Sequence, residues 1–337
     1  MGKEGLAFGI VTGLILTAFC TAGCGSKQKR EEVIRVACHT NFGGSSAAYA
    51  ALDNHFFERE GLKVELLEFS SGPPAIAALE AGDVDISFLG HGAFTYVLEG
   101  KVQVIAVDSL SNAEEIMATK ESGIKKPEDL IGKTIATQFG TSGENFLKAA
   151  LVSYGIPEDE VTILNMDTAG AAMALMKGKV DAVSIWAPYT NEVRKALGNN
   201  AVTVVDCMDF RDTLALPMSW VASESYIDSH KDTVEKFVRA LYAGMDYRNE
   251  NLEQMAKLVA GRLGMEVELI EPDIKTAVWF DSHSVLSYIE DGTIARWYKE
   301  LEKFMNRDAE KAEEHRIQEY LRLDILYPAL SGKKDGG

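Results

Sequence analysis

One pattern, written twice, restricts what this chain can fold into. A small-residue helix at 75–81 leads into Gly82-Asp-Val-Asp85, an apolar strand at 84–89 and then Gly90-His91-Gly92. An alanine- and methionine-rich helix at 169–177 leads through Gly178-Lys-Val-Asp181 into a buried strand at 180–185, then a loop carrying Trp186, Pro188 and Tyr189. Asp85 and Asp181 are 96 residues apart. A helix stopped by glycine and followed by a short apolar run is half of a β-α-β unit. Its reuse predicts two lobes of one design, each sending a loop to a shared place. The two aspartates read as solvated or capping residues ahead of buried strands, with the chemistry just downstream.

The surrounding chain supports the duplication. Strands at 33–38 and 62–69 flank a helix at 47–60, and the helix at 75–81 opens after Ser70-Ser-Gly-Pro-Pro74, where proline suits a first turn. The same order returns as strand 133–138, glycine-rich loop 139–143, helix 144–154, strand 161–166, turn 167–170 and helix 169–177. Such alternation predicts α/β lobes built on parallel sheets. Extended segments at 102–108 and 215–222 read as two crossings between lobes. Helices are expected at 231–248, 252–263, 271–278, 292–306 and 309–327, packing back on the first lobe. The expected division is 33–110 with 223–330 for lobe one and 111–222 for lobe two, followed by a tail at 331–337.

Charge and the N-terminus narrow the function classes. The chain has 34 basic against 51 acidic residues, a net charge of −17 that disfavours nucleic acid and anionic lipid as partners. Lys3, an apolar run at 6–19 and Thr21-Ala-Gly-Cys24 have the grammar of a secretory signal, 1–23. Cysteine after Ala-Gly is similar to a bacterial lipoprotein signal, with Cys24 as the site of lipid attachment and 24–32 as a tether. Several acyl chains, at about 0.8 kcal/mol per buried CH₂, would anchor the chain to a membrane. Cys38 and Cys207 fit no zinc spacing and read as buried free thiols.

In parallel α/β sheets, ligands gather beyond the carboxyl ends of the strands. The loops there carry hydroxyls, glycines and few cations. Gly140-Thr-Ser142 and Ser70-Ser-Gly72 precede helices, where backbone N–H groups and the helix dipole suit an anion, although Ser and Thr are also ordinary N-caps. Trp186 can wall a pocket or stack on a ring or a cation. His39, His91 and either Asp108 or Asp167 form only a weak case for a metal, without metalloprotein spacing. Ser142 lacks a nucleophile elbow, and no lysine-bearing phosphate loop is present. No cofactor or metal is called for.

At these residues the chain resembles the substrate-binding proteins of ABC transporters for nitrate, taurine, alkanesulfonates and thiamine precursors. The likeness spans about 33–260. It rests on 48–65, on Ala77-Ala-Leu-Glu-Ala-Gly-Asp-Val-Asp85, on Pro127-Glu-Asp-Leu-Ile-Gly-Lys133, on Gly140-Thr-Ser142 and on 178–188. The resemblance implies a periplasmic-binding-protein type II fold, with two Rossmann-like lobes joined by two crossing strands. The lipoprotein signal agrees independently, with the expected monomer lipid-anchored at the outer face of the bacterial cytoplasmic membrane or in the periplasm. Such a protein closes on a small-molecule solute and delivers it to a permease and ATPase. The family's cleft maps here onto Thr40, Asn41, Ser70, Ser71, Gly72, Gly90, His91, Gly140, Thr141, Ser142, Asp167 and Trp186. Few loop cations and many hydroxyls suit a sulfonate, taurine-like or carboxylate anion, whereas Phe42, Trp186 and Tyr189 equally suit a flat heterocycle. A same-fold enzyme of thiamine or menaquinone biosynthesis and a sensory ectodomain are the readings from other classes.

Overall fold

The computed structural model describes residues 33–210, 215–306 and 315–332. The signal at 1–23, Cys24, the tether 24–32, part of the helix expected at 309–327 and most of the tail 331–337 lie outside them. Eleven strands form two sheets among the described residues. The first sheet contains β1 (Val33–His39), β2 (Lys63–Phe69), β3 (Ile86–Leu89), β4 (Gln103–Ser111), β10 (Pro217–Ala222) and β11 (Ala277–Trp279), in the order β11-β4-β10-β3-β1-β2. The second contains β5 (Glu114–Thr119), β6 (Thr134–Thr137), β7 (Thr162–Asn165), β8 (Ala182–Trp186) and β9 (Ala201–Asp206), in the order β7-β6-β8-β5-β9. This is the expected two-lobed α/β architecture. The sheets are mixed, however: β1–β3 and β6–β8 run parallel, while β4, β5, β9, β10 and β11 add antiparallel pairs.

The duplicated aspartates explain why the motif repeats. In the first sheet, Asp85 N–H donates to the Arg35 carbonyl (2.8 Å), and the Asp85 carboxylate accepts from Arg35 N–H (2.8 Å) and from its guanidinium (2.7 and 3.1 Å). In the second, Asp181 N–H donates to the Thr134 carbonyl (2.9 Å) and its carboxylate accepts Thr134 N–H (2.9 Å). Each carboxylate thus takes up an N–H that would lack a partner where a parallel strand enters its sheet. The expectation of solvated or capping residues is corrected: both are strand latches, and the registers Val36↔Ile86 and Ile135↔Ala182 follow directly after them.

The long helix Lys231–Glu250 packs on the first sheet. Val234, Phe237, Val238, Leu241, Tyr242 and Met245 recur at helical spacing and are buried. Phe237 lies near Trp220 of β10, and the Tyr242 hydroxyl both donates to and accepts from the Val107 backbone of β4. Gly244 allows close packing on the helix Phe42–Asp53, because a Cβ there would stand 2.3 Å from the Ala47 carbonyl oxygen. The chain end returns to the same lobe: Leu321 bridges Val104, and the helix Leu323–Ser331 follows.

Several local expectations are corrected. The segment read as a helix at 271–278 is a 3-10 turn, Glu271–Lys275, followed by β11, which pairs with the edge of β4. Pro272 and the β-branched Thr276 and Val278 weaken a helix there, and the open edge of β4 supplies hydrogen bonds in its place. Trp186 ends β8, and the loop expected around it is brief, because the helix Tyr189–Leu197 begins at once. The helix expected at 47–60 begins earlier and is split, into Phe42–Asp53 and Phe56–Arg59. Both Cys38 and Cys207 are free and buried.

Candidate functional site

The carboxyl ends of both sets of parallel strands face one cavity at the junction of the sheets. Three helices start there: Phe42–Asp53, Gly72–Glu80 and Ser142–Ser153. The residues before them differ in how they treat the helix ends. Asn41 caps its helix by accepting from Gly44 N–H (2.7 Å). Ser71 and Thr141 make no side-chain cap, so the positive ends of the second and third helices remain available to the cavity.

Of the sequence-predicted residues, Asn41, Ser71, Gly72, Gly90, Thr141, Ser142 and Trp186 line this cavity together. The others stand behind it or away from it. Thr40 N–H is used by the Phe69 carbonyl (3.0 Å), and Ser70 is exposed. Phe42 is buried edge-on against Trp279 (5.2 Å) and so supports the wall. Gly140 adopts φ 72° and donates its N–H to Glu144 (2.7 Å). Asp167 caps the next helix by accepting from Gly170 N–H (2.9 Å). Tyr189 packs edge-on to Trp186 at 6.4 Å. His91 is buried, and its Nε2 approaches Glu114 Oε1 at 3.1 Å without the alignment of a hydrogen bond.

The sequence reading missed His39 as a wall residue, together with Ser109, Glu114, Met218, Asp273 and Trp279. Glu114 sits where the chain first crosses between sheets. Its Oε2 accepts from the Ser111 hydroxyl (2.8 Å) and the Cys207 thiol (3.3 Å). Burial alone would raise its pKa, but the His91 imidazole, Ser111 and Ser142 outweigh that and bring it down to about 2. Asp273 is the opposite case: burial pushes it up to about 8, against the smaller pull of Phe42 N–H and Asn191. Burial also holds His39 down to about 4, so its imidazole is neutral. Asp108 belongs to a separate structural pair. It and Arg248 are both fully buried and meet at 2.7 Å, with Trp220 Nε1 donating to the same carboxylate (3.0 Å). The Arg248 guanidinium lies 4.8 Å from the Trp279 ring centroid and so backs one wall of the site.

The two lobes are in contact around the cavity. Gln138 donates to Ser71 Oγ (2.9 Å), Asn145 to the Gly92 carbonyl (2.8 Å), and Asn191 to Asp273 (2.8 Å) and to the Leu269 carbonyl (3.0 Å). Gly92 lies so close to Ser142 that a Cβ would stand 1.9 Å from its nitrogen. The cavity is partly open to solvent and has a volume of about 50 Å³, on a scale where one water needs roughly 10–15 Å³. The arrangement therefore suits enclosure of a compact polar solute between two jaws.

Comparison with known proteins finds relatives in sequence and in fold. Residues 43–254 match the family described as NMT1/THI5 like. The taurine-binding periplasmic protein of Escherichia coli (strain K12) is 30% identical over 226 residues, covering 63% of this chain and 69% of that protein. A protein of Brucella abortus (strain 2308), named only as a binding protein, is 26% identical over 78% of this chain and 82% of its own length. The crystal structure of the periplasmic aliphatic sulphonate binding protein of Escherichia coli superposes with a TM-score of 0.64 at 21% identity, covering 88% of this chain and 99% of that one.

Proposed function

The chain belongs to the NMT1/THI5-like family, and from that premise and the closed cleft we propose that it is the extracytoplasmic solute-binding component of an ABC importer. It closes its lobes on a small organic anion of the sulfonate, taurine-like or carboxylate kind and delivers it to a membrane permease and its ATPase. The lobes are taken as 33–110 with 223–330 and 111–222. A lipid on Cys24 would keep the monomer at the membrane's outer face or in the periplasm, where the taurine-binding relative is placed by its name. The reading is a binding function with no chemical step.

One observation carries the proposal. Two helix ends without a side-chain cap, at Ser71-Gly72 from one lobe and Thr141-Ser142 from the other, line the same cavity beside Trp186. Backbone N–H groups at such ends hold an acidic oxygen without a cationic side chain. A flat heterocycle has the two tryptophan walls in its favour, but the small volume between them favours a compact solute.

A thermal-shift screen of the purified protein against small anions, sulfonates and heterocycles tests this. Ligand at 100 times its Kd stabilises by about 2.7 kcal/mol. The expected hit loses most of its shift in Trp186→Ala and in Thr141→Ala. No hit, or a hit indifferent to both changes, would refute the cleft.

A further inference from the structure

The wall of the same cavity holds two polar atoms that the chain itself leaves unpaired. His39 Nε2 and Ser109 Oγ are buried, on residues 6% and 1% exposed, and neither makes a hydrogen bond among the described residues. Both residues line the cavity from the first lobe, His39 at the end of β1 and Ser109 in β4. The register partners of Ser109 are Met218 of β10 and Trp279 of β11, which line the cavity with it. An alanine would pack between them at no cost, whereas a hydroxyl there stays desolvated until a solute bonds to it. Ser111, two residues on and on the same face of β4, gives its hydroxyl to Glu114 (2.8 Å). His39 packs edge-on to Phe88 (5.0 Å), and burial holds its imidazole neutral, so Nε2 donates or accepts according to the tautomer.

The neighbouring groups call for no charge at this place. The Glu114 carboxylate faces the His91 imidazole (3.1 Å) and accepts from Ser111 and Cys207. Asp273 is held protonated by burial and accepts from Asn191 (2.8 Å). The Trp279 ring already has the Arg248 guanidinium 4.8 Å from its centroid. An ammonium beside His39 and Ser109 would therefore lack a counter-charge of its own, and so would a second acidic group. A hydroxyl fits instead, because it both donates and accepts and so matches one imidazole nitrogen and one serine hydroxyl in either sense. Resting on the solute-binding reading above, we propose that His39 and Ser109 form a second subsite that takes a solute hydroxyl, so that the cargo is a compact hydroxy acid with its acidic group at the Ser71-Gly72 and Thr141-Ser142 helix ends. The two residues then set specificity: an acid with a methyl group in place of that hydroxyl leaves both atoms unpaired and is rejected.

Isothermal titration of the full-length protein with matched probes tests the inference. The pairs are 3-hydroxypropanoate against butanoate and isethionate against propane-1-sulfonate, each exchanging a hydroxyl for a methyl of similar size. Taurine is the third arm, with an ammonium in the place of the isethionate hydroxyl. At least one hydroxyl member should bind roughly thirty-fold more tightly than its methyl twin, the factor that two hydrogen bonds supply. Ser109→Ala should reduce that ratio roughly fivefold by weakening the hydroxyl member alone, and His39→Phe, similar in shape, is the second variant with the same expected loss. Ser109→Ala should also leave the ligand-free urea midpoint equal or higher, because it removes an unpaired buried hydroxyl, whereas a structural serine would lower it. Methyl twins or taurine bound as tightly as the hydroxyl members, no binding of either hydroxyl member, a ratio unchanged in Ser109→Ala, or a lowered midpoint would overturn the inference. Binding of a methyl twin or of taurine that disappears in Trp186→Ala would leave the cleft standing and remove only the hydroxyl subsite, whereas binding untouched by Trp186→Ala would remove the cleft itself.

Discussion

Gly92→Ala is the sharpest perturbation of the clamp. Gly92 follows β3 in one lobe, and the atoms its new Cβ would meet belong to the other lobe's backbone: Ser142 N at 1.9 Å, Thr141 C at 2.1 Å and Ser142 Cα at 2.3 Å. Backbone cannot swing aside as a long side chain can, so the jaws must part by about 1.5 Å to restore ordinary contact at 3.4 Å. That displacement breaks the Asn145 bond to Gly92 O and stretches the Gln138–Ser71 bond, now 2.8 and 2.9 Å. With about 1–1.5 kcal/mol for each bond, the closed state loses about 2–3 kcal/mol, a 30- to 150-fold rise in Kd. Isothermal titration with the solute that the wild type binds in the thermal-shift screen, with small-angle scattering of both proteins, reads the two effects. The variant should bind weakly and show a larger radius of gyration. Unchanged affinity and radius in a folded Gly92→Ala protein would refute the closure argument.

Two further predictions separate stability from binding. Gly244→Ala places a Cβ 2.3 Å from the Ala47 carbonyl inside the first lobe, so urea unfolding should show a loss of about 1–3 kcal/mol, while the protein that remains folded keeps wild-type affinity. Asp273 has a folded pKa raised to about 8, so between about pH 4 and 8 the folded state holds a proton that the unfolded state releases. Wild-type stability should therefore fall with rising pH across that window, by at most about 1.4 kcal/mol per unit, relative to Asp273→Asn. Parallel denaturation curves at pH 5 and pH 8 check the sign, and wild-type stability that rises relative to Asp273→Asn toward pH 8 would count against it.

The repeated motif was legible in the sequence because local signals agreed: glycine stops, period-two apolar runs and small-residue helices all fell in one order. The strands that escaped notice were placed by tertiary pairing. β5 begins Glu114-Glu115 and reads as polar, yet it lies between β8 and β9. β11 is three residues that take the free edge of β4, too short a run to show a strand period of its own. The site was read in the same uneven way. Loops after parallel strands gave Asn41, Ser71, Gly72, Gly90, Thr141, Ser142 and Trp186, because strand-end position is written in the local sequence. Glu114 comes from the crossing between lobes and Asp273 and Trp279 from the distant chain end, so no local pattern joins them to those loops. The reading of a small sulfonate, taurine-like or carboxylate anion followed from seeing hydroxyls and few cations in the loops, whereas folding adds two carboxyl groups from elsewhere.

The central claim is that one small solute is enclosed between the jaws. A crystal structure of the protein with the tightest-binding probe tests it most directly. The account predicts solute density in the cavity bounded by Ser71, Thr141, Trp186 and Trp279, touching both lobes, with its acidic oxygens at the Gly72 and Ser142 helix ends. Density for the solute outside that cavity, as in the surface groove near Ser223 and Tyr226, or contact with one lobe alone, would contradict it.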